Sequence, residues 1–241
     1  MKRYILIITI IFVAQFKLHA QGFTFRINTG YGFYNMSSLK EFTQFNFDQL
    51  PFTSKIISNY PPYLFYQPMV LYTKGRFNLG IVYTFMSTGS RISSKDYSGE
   101  YLFDTRIKGN SGGVLFGCEI AKYKSIQLGA HSGLGLTFSN LRVDESLSLD
   151  SSKASNYYKF SNYSVYLEPG VDLKYPVGPF ELGLDIGYYW EVKRTDLELV
   201  SNPRNKFELK KAPSKSDMWN GFRIGITASF SLVKKAKSGS Q

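Results

Sequence analysis

From residue 22 onward, apolar and polar positions alternate with a period of two. Phe23, Phe25, Ile27, Thr29, Tyr31 and Phe33 fall on one parity, and Thr24, Arg26, Asn28, Gly30, Gly32 and Tyr34 on the other. The same alternation sets Phe77, Leu79, Ile81, Tyr83 and Phe85 against Asn78, Gly80, Val82 and Thr84. It is clearest where Phe180, Leu182, Leu184, Ile186, Tyr188 and Trp190 oppose Glu181, Gly183, Asp185, Gly187, Tyr189 and Glu191. Successive side chains of a strand point to opposite faces, so each segment has one apolar and one polar face. No window carries the 3.6-residue period long enough for a helix. The pattern predicts eight strands, at about 22–36, 62–73, 76–88, 101–121, 125–140, 160–175, 179–193 and 217–233.

The connections alternate in length. Tight turns at 73–76, 121–125 and 175–179 carry Gly75, Lys122, Pro176 and Gly178, whereas 37–61, 89–100, 141–159 and 194–216 are long and polar. An even strand number with this alternation predicts an all-β fold: an eight-stranded antiparallel up-and-down transmembrane β-barrel with short periplasmic turns, long extracellular loops and both termini periplasmic. Soluble barrels also use eight up-and-down strands. Face polarity separates the two, because here the residues sharing the glycine face are Arg26, Glu168, Asp172, Glu181, Asp185, Glu191 and Arg223. An eight-stranded lumen is just wide enough for side chains to fill it, so these charges form a luminal network in which acids and bases must pair. Arg26 and Arg223 are expected to pair across the lumen, Arg223 with Asp185 or Glu181.

Two segments fit this pattern less well. Residues 62–73 are apolar on both parities, and Pro68 there, like Pro169, cannot donate to a ladder, so bulges or strand ends are expected at both. Residues 101–112, with Asp104, Arg106, Lys108 and Asn110, are too polar to cross lipid and read as an extracellular extension. Aromatic residues gather near strand ends (Phe23, Tyr63, Tyr72, Phe77, Phe138, Tyr163, Tyr175, Phe180, Trp190, Phe222 and Phe230), as two interfacial girdles would require.

Lys2 and Arg3 precede the apolar run 4–16, and Leu18-His19-Ala20 resembles a cleavage site, so residues 1–20 read as a cleaved signal peptide. The expected organisation is the signal at 1–20, the outer-membrane barrel at 21–233 and a basic periplasmic tail at 234–241. After cleavage the chain carries 26 basic and 18 acidic residues. Cys118 is the only cysteine, which excludes a disulfide-stapled fold.

The signal ending Ala20-Gln21, the strand pattern over the mature chain, and the last strand Arg223-Ile-Gly225-Ile-Thr-Ala228-Ser-Phe230 resemble the outer-membrane β-barrel ("porin family") proteins, similar in architecture to small OmpA and OmpX barrels. In that family the final strand is read by the barrel-assembly machinery. This chain departs from the pattern by continuing past Phe230 to Gln241. The resemblance implies the outer membrane of a Gram-negative bacterium. Expected partners are outer-membrane lipid and lipopolysaccharide, the assembly machinery during insertion, and another outer-membrane or periplasmic protein; nucleic acid is not expected.

Candidate chemistry is sparse. Histidine and serine adjoin at His131 and Ser132. A lipid A deacylase barrel pairs these residue types two apart on one face, whereas adjacent strand residues face opposite ways and Gly133 holds the nucleophile's place. A luminal histidine hydrogen-bonded to Glu or Tyr is therefore the expectation. Glycine clusters at 30–32, 112–113 and 129–135 are followed by no helix that would bind phosphate. No catalytic residue, cofactor or metal is expected. Lys74, Arg76, Lys122, Lys124, Lys234, Lys235 and Lys237 form a periplasmic basic rim, suited to lipid headgroups or an acidic partner. Phe42, Phe45, Phe47 and Phe52 in the first long connection suggest either a partner-binding loop or a segment folded over the barrel mouth. The resulting expectation is a non-enzymatic barrel with a structural or partner-binding role, which includes that of an accessory subunit of a larger outer-membrane complex; the alternatives are a lipid-modifying enzyme or a narrow channel.

Overall fold

A computed structural model describes residues 22–48, 50, 55–97, 99–149, 152–200 and 218–233. Residues 1–20, expected to be a signal peptide, Phe52, the stretch 201–217 and the expected basic tail with Lys234, Lys235 and Lys237 lie outside the described residues. The elements in order are β1 (Gly22–Tyr34), α1 (Ser37–Asp48), β2 (Lys55–Asn59), β3 (Tyr63–Lys74), β4 (Phe77–Asp96), β5 (Gly99–Tyr123), β6 (Ile126–Leu149), β7 (Ser152–Val177), β8 (Phe180–Arg194), β9 (Glu198–Leu199) and β10 (Gly221–Val233). Eight of these strands close a ring in the order β1, β3, β4, β5, β6, β7, β8, β10, every neighbouring pair antiparallel. The seam joins β1 to β10 along their whole length, from Gly22 opposite Val233 to Tyr34 opposite Gly221. The turns after β3 and β7 place Gly75 and Gly178 at φ +61°, a left-handed conformation that glycine adopts without Cβ strain.

The outer wall between the turn end and mid-height is apolar on every strand. Ile81, Leu184 and Ile226 stand 64%, 59% and 63% exposed on it, which no water-facing surface of this extent favours. Aromatic pairs edge this belt. At the turn end Phe23 meets Tyr72, Phe77 meets Phe116 and Phe180 meets Phe230, with ring centroids 5.9, 6.1 and 5.6 Å apart. At the loop end Tyr188 meets Phe222 at 4.9 Å, with Tyr63, Phe138, Tyr163 and Trp190 exposed nearby.

Beyond the loop-end aromatics the chemistry of the wall inverts while its parity is unchanged. Outward positions become Arg91, Asp104, Arg106, Lys108, Asn140 and Arg142; inward positions become Ile92, Phe103, Ile107, Leu141 and Val143, all buried. The upper storey is thus built like a soluble barrel. Its core continues through Tyr34, Met36, Leu39, Tyr60, Leu197, Met218 and Trp219, and α1 lies across it. This corrects three expectations. Within 89–100 β4 runs on to Asp96 and β5 begins at Gly99, within 141–159 β6 runs on to Leu149 and β7 begins at Ser152, and 37–61 holds a helix and a strand, where loops were expected. A period-two signal with apolar residues outward ends at the belt, but the strands do not.

The prolines also behave differently from expectation. Pairing of β3 with β4 lapses at Gln67 and Pro68 and resumes at Met69 in unchanged register, and β7 with β8 lapses likewise at Glu168 and Pro169. Each proline therefore sits mid-strand, its missing donor absorbed by an in-register gap on one side. Within the eight-stranded ring the register shifts fall elsewhere, between Glu119 and Ala121 and between Val165 and Tyr166. The apolar inward positions of β3 are accounted for by a luminal cluster of Met69, Leu71, Val82 and Leu115 and by Phe65, which joins the upper core.

Two predictions follow from this division of the wall. Ile81→Arg, in the belt, should lower stability in a bilayer by about 2–4 kcal/mol, whereas Ser87→Arg, just above it, should change little; equal costs in urea titrations of vesicle-inserted protein would place the belt edge wrongly. In the upper storey Tyr60 is 3% exposed and hydrogen-bonded to Thr105 Oγ1 at 2.7 Å, and burial pushes its phenol up to about 12. The folded state holds this proton more tightly than the unfolded chain does, so the stability it contributes is complete below about pH 10 and is lost as pH rises toward 12. Wild type should lose stability over that window relative to Tyr60→Phe, measured by thermal melts in detergent at matched pH.

Candidate functional site

The lumen is filled rather than open, in three layers. At the turn end a vestibule of about 290 Å³ is lined by Arg26, Arg76, Lys174, Glu119 and Glu181 among others. Above it, Asp172 accepts from Arg26 Nη1 at 3.3 Å and from Lys174 Nζ at 2.8 Å, with Arg26 and Asp172 only 5% and 3% exposed. His131 lies between two carboxylates, its Nδ1 4.0 Å from Asp172 and its Nε2 3.6 Å from Asp185. Asn28 Nδ2 donates to Asp185 Oδ1 at 3.0 Å and to Gln67 Oε1 at 3.2 Å, linking β1, β3 and β8. Two glycines make this layer possible. A Cβ at Gly129 would collide with Asp172 Oδ1, and one at Gly170 would stand 2.5 Å from His131 Nε2.

The middle layer is organised by Arg223, which is 1% exposed. Its Nη1 donates to Glu168 Oε1 at 2.7 Å and its Nε to the Tyr34 hydroxyl at 3.2 Å, while the guanidinium lies 4.0 Å from the Tyr189 ring centre. Tyr189 stacks on Tyr166 with centroids 4.7 Å apart and hydrogen-bonds Ser111 at 2.8 Å and Thr137. Gln67 Nε2 donates to the second oxygen of Glu168 at 3.1 Å, so this layer is joined to the one below. The expected partners of Arg223, Asp185 and Glu181, are not the ones it meets. Its register neighbours on β1 and β8 are Gly32 and Gly187, so neither cross-strand position carries a side chain and the guanidinium passes over β8 to Glu168 on β7.

In the top layer Glu191 pairs with no luminal base among the described residues. Its carboxylate accepts from Ser164 Oγ at 2.7 Å and from the backbone N–H groups of Met218 and Trp219 at 3.1 and 3.0 Å, and so anchors the chain re-entering β10. Trp219 Nε1 donates to Ser139 Oγ at 2.9 Å and its ring meets Tyr34 edge-on at 5.0 Å, closing the lumen below the apolar core.

Of the predicted luminal charges, Arg26, Asp172, Asp185, Glu168 and Arg223 therefore meet in two linked layers, Glu181 lines the vestibule, and Glu191 holds the cap. Lys174, Asn28, Gln67, Tyr34, Tyr166 and Tyr189 complete the network and were missed. All six share the inward parity, which was the available signal. His131 meets aspartates, not the expected Glu or Tyr, and Ser132 follows it on the outward parity. Among the described residues no three His, Cys, Asp or Glu side chains are placed to hold a metal ion. In the first connection, Phe42 packs on Phe103 at 5.9 Å and Phe47 against the upper core, leaving Phe45 exposed. Phe42 and Phe47 thus serve the barrel mouth and not a free partner-binding surface. Lys74, Arg76, Lys122 and Lys124 all stand exposed around the turn end.

No family profile matches this chain, and no curated protein matches it. Among solved structures, the chain is similar to Ail, the attachment invasion locus protein of Yersinia pestis, at 10% identity over 87% of this chain and 97% of that one, with a TM-score of 0.35. A second structure of Ail, in complex with the heparin analogue sucrose octasulfate, matches at 12% identity over 87% and 99% of the two chains, again with a TM-score of 0.35.

Removing one side of a buried ion pair leaves the other charge uncompensated, at a cost of about 3–5 kcal/mol. Arg223→Ala should lower unfolding stability in detergent by that amount, and adding Glu168→Gln should recover part of the loss. Lys74→Ala, at the exposed rim, should change stability by less than about 1 kcal/mol. Additive losses in the Arg223/Glu168 double-mutant cycle would show that the pair is not coupled.

Proposed function

We propose that this protein is a non-enzymatic integral barrel of a Gram-negative outer membrane, with structural or partner-binding work done from its upper storey. The observation that carries the reading is the apolar, aromatic-edged outer belt around a lumen closed by ion pairs. Such a wall is stable only in hydrocarbon, where the closed ring leaves no backbone group without a partner. The turn end, with its exposed bases, is assigned to the periplasm and the long-strand end to the exterior. Association with another outer-membrane or periplasmic protein, as an accessory subunit, belongs to the same proposal.

The lipid-modifying alternative needs a histidine and a nucleophile on one face, and His131 and Ser132 stand on opposite parities of β6. His131 is instead enclosed with Asp172 and Asp185, away from the wall that acyl chains would touch. A channel would require a continuous aqueous path, and the Arg223–Glu168 pair, the Tyr166–Tyr189 stack and Trp219 lie across it.

Reconstitution tests both parts. The protein should remain folded only in detergent or bilayer, and planar-bilayer recording should show no large, stable conductance. A folded species after detergent removal would overturn the membrane assignment, and a reproducible open pore would overturn the plugged-lumen reading.

A further inference from the structure

Three strands meet above the belt in an arrangement that a barrel wall does not need. Arg106 on β5, Arg142 on β6 and Lys159 on β7 are direct register partners on the outer face. Like charges placed directly opposite one another across a ladder destabilise it. One row further out the problem repeats with the other sign, Asp104 opposite Asp144. That row is neutralised from within the chain, since Arg91 forks onto Asp104 at 2.6 and 2.7 Å and Arg142 bonds Asp144 at 2.8 Å. The acids are thereby used up. Among the described residues no carboxylate lies within ion-pair distance of Arg106, Lys108 or Lys159.

These bases line a groove of about 310 Å³ whose charged residues are Arg106, Lys108, Arg142 and Lys159, with Asn140, Leu141 and Val200 completing it. Its height is informative. Asn140 and Arg142 lie two and four residues beyond Phe138 on β6, which puts them roughly 7 and 13 Å along the strand from the aromatic edge. The polar headgroup zone begins at that edge. A cluster of uncompensated cations at this level, facing outward over the lipid, suits a phosphorylated headgroup whose acyl chains lie on the belt below. Phosphate oxygens accept from several N–H donors at once, and guanidinium groups match them two at a time.

We propose that this groove binds the phosphorylated sugar headgroup of an outer-leaflet glycolipid, Arg106, Lys108 and Lys159 supplying the charge and Asn140 a neutral hydrogen-bonding group. The assignment rests on the outer-membrane reading above. It also gives the like-charge row a function, because ligand phosphate supplies the missing counter-charge.

The test uses the full barrel in phosphatidylcholine nanodiscs, with and without bisphosphorylated lipid A, its dephosphorylated form, or free inorganic pyrophosphate. Insertion is first scored by heat-dependent gel mobility in phosphatidylcholine alone. Wild type should bind lipid A in preference to the dephosphorylated form, with affinity falling as salt rises, and pyrophosphate should compete only weakly. The variant Arg106→Gln/Lys108→Gln/Lys159→Gln should insert normally and be no less stable in zwitterionic lipid, since it removes like-charge repulsion. Its lipid A affinity should fall by roughly 100-fold, each base near an anionic surface contributing about fivefold. The pair Lys122→Gln/Lys124→Gln, at the other end, should leave that affinity unchanged.

Equal affinities of wild type and the triple variant, no preference for the phosphorylated lipid, or loss of binding only in the Lys122/Lys124 variant would each overturn the proposal while leaving the barrel reading intact. Pyrophosphate binding as tight as lipid A would overturn it too, making this a site for free phosphate. Failure of wild type to insert would instead remove the outer-membrane reading itself.

Discussion

Everything in this structure depends on the closure of β1 onto β10. Along that seam the first and last strands exchange backbone hydrogen bonds from Gly22–Val233 to Tyr34–Gly221, and the sheet loses its edges. An open edge inside hydrocarbon would leave a row of N–H and C=O groups without partners, each costing several kcal/mol. Closure at eight strands also fixes the width of the lumen, and that width dictates what fills it. Large inward residues need small ones beside them, which is why Arg223 stands between Gly32 and Gly187 in register and Asp172 against Gly129.

The two storeys follow from one backbone passing through two solvents. In the belt the environment outside is less polar than the environment inside, so charge is buried and apolar side chains are displayed. Desolvating that charge is tolerable only because the network is shared: Asp172 faces Arg26, Lys174 and His131, and Glu168 faces Arg223 and Gln67. Above the belt water lies outside, and the same strands bury Ile107, Leu141 and Val143 while displaying Arg106, Lys108 and Arg142. The inward parity never changes; only its chemistry does. Helix α1 caps this upper core through Leu39 and Phe42, so the mouth is closed by packing just as the middle is closed by ion pairs.

This explains what was legible in the sequence. Eight strands, their parity and the inward charges could be read because lipid and lumen demand opposite chemistry at consecutive residues. The upward extension of β5 was legible as such at 101–112, but those of β4, β6 and β7 were not, because there the outward residues turn polar and the alternation resembles a solvated loop. Helix α1 carries no acid in its first turn and no base in its last, and buries only Ser38, Leu39 and Thr43 fully. A short helix of that kind is held by tertiary packing and leaves little local signal. The partner of Arg223 was missed for a different reason. Strand adjacency favoured Asp185 or Glu181 on β8, but the glycine at the register position opens the way to β7, and register is not visible in one strand's sequence.

The central claim is that one continuous strand crosses from a lipid-facing to a water-facing wall without changing parity. Single spin labels placed along β4 from residue 77 to 93, in a Cys118→Ser background and in bilayers, measure this through collision with oxygen and with a water-soluble nickel chelate. The account predicts that 77, 79, 81, 83 and 85 are oxygen-accessible and closed to the chelate, that 82, 84 and 86 are shielded from both, and that 87, 89 and 91 are open to the chelate. Chelate access at 81, or oxygen access at the even positions, would contradict it.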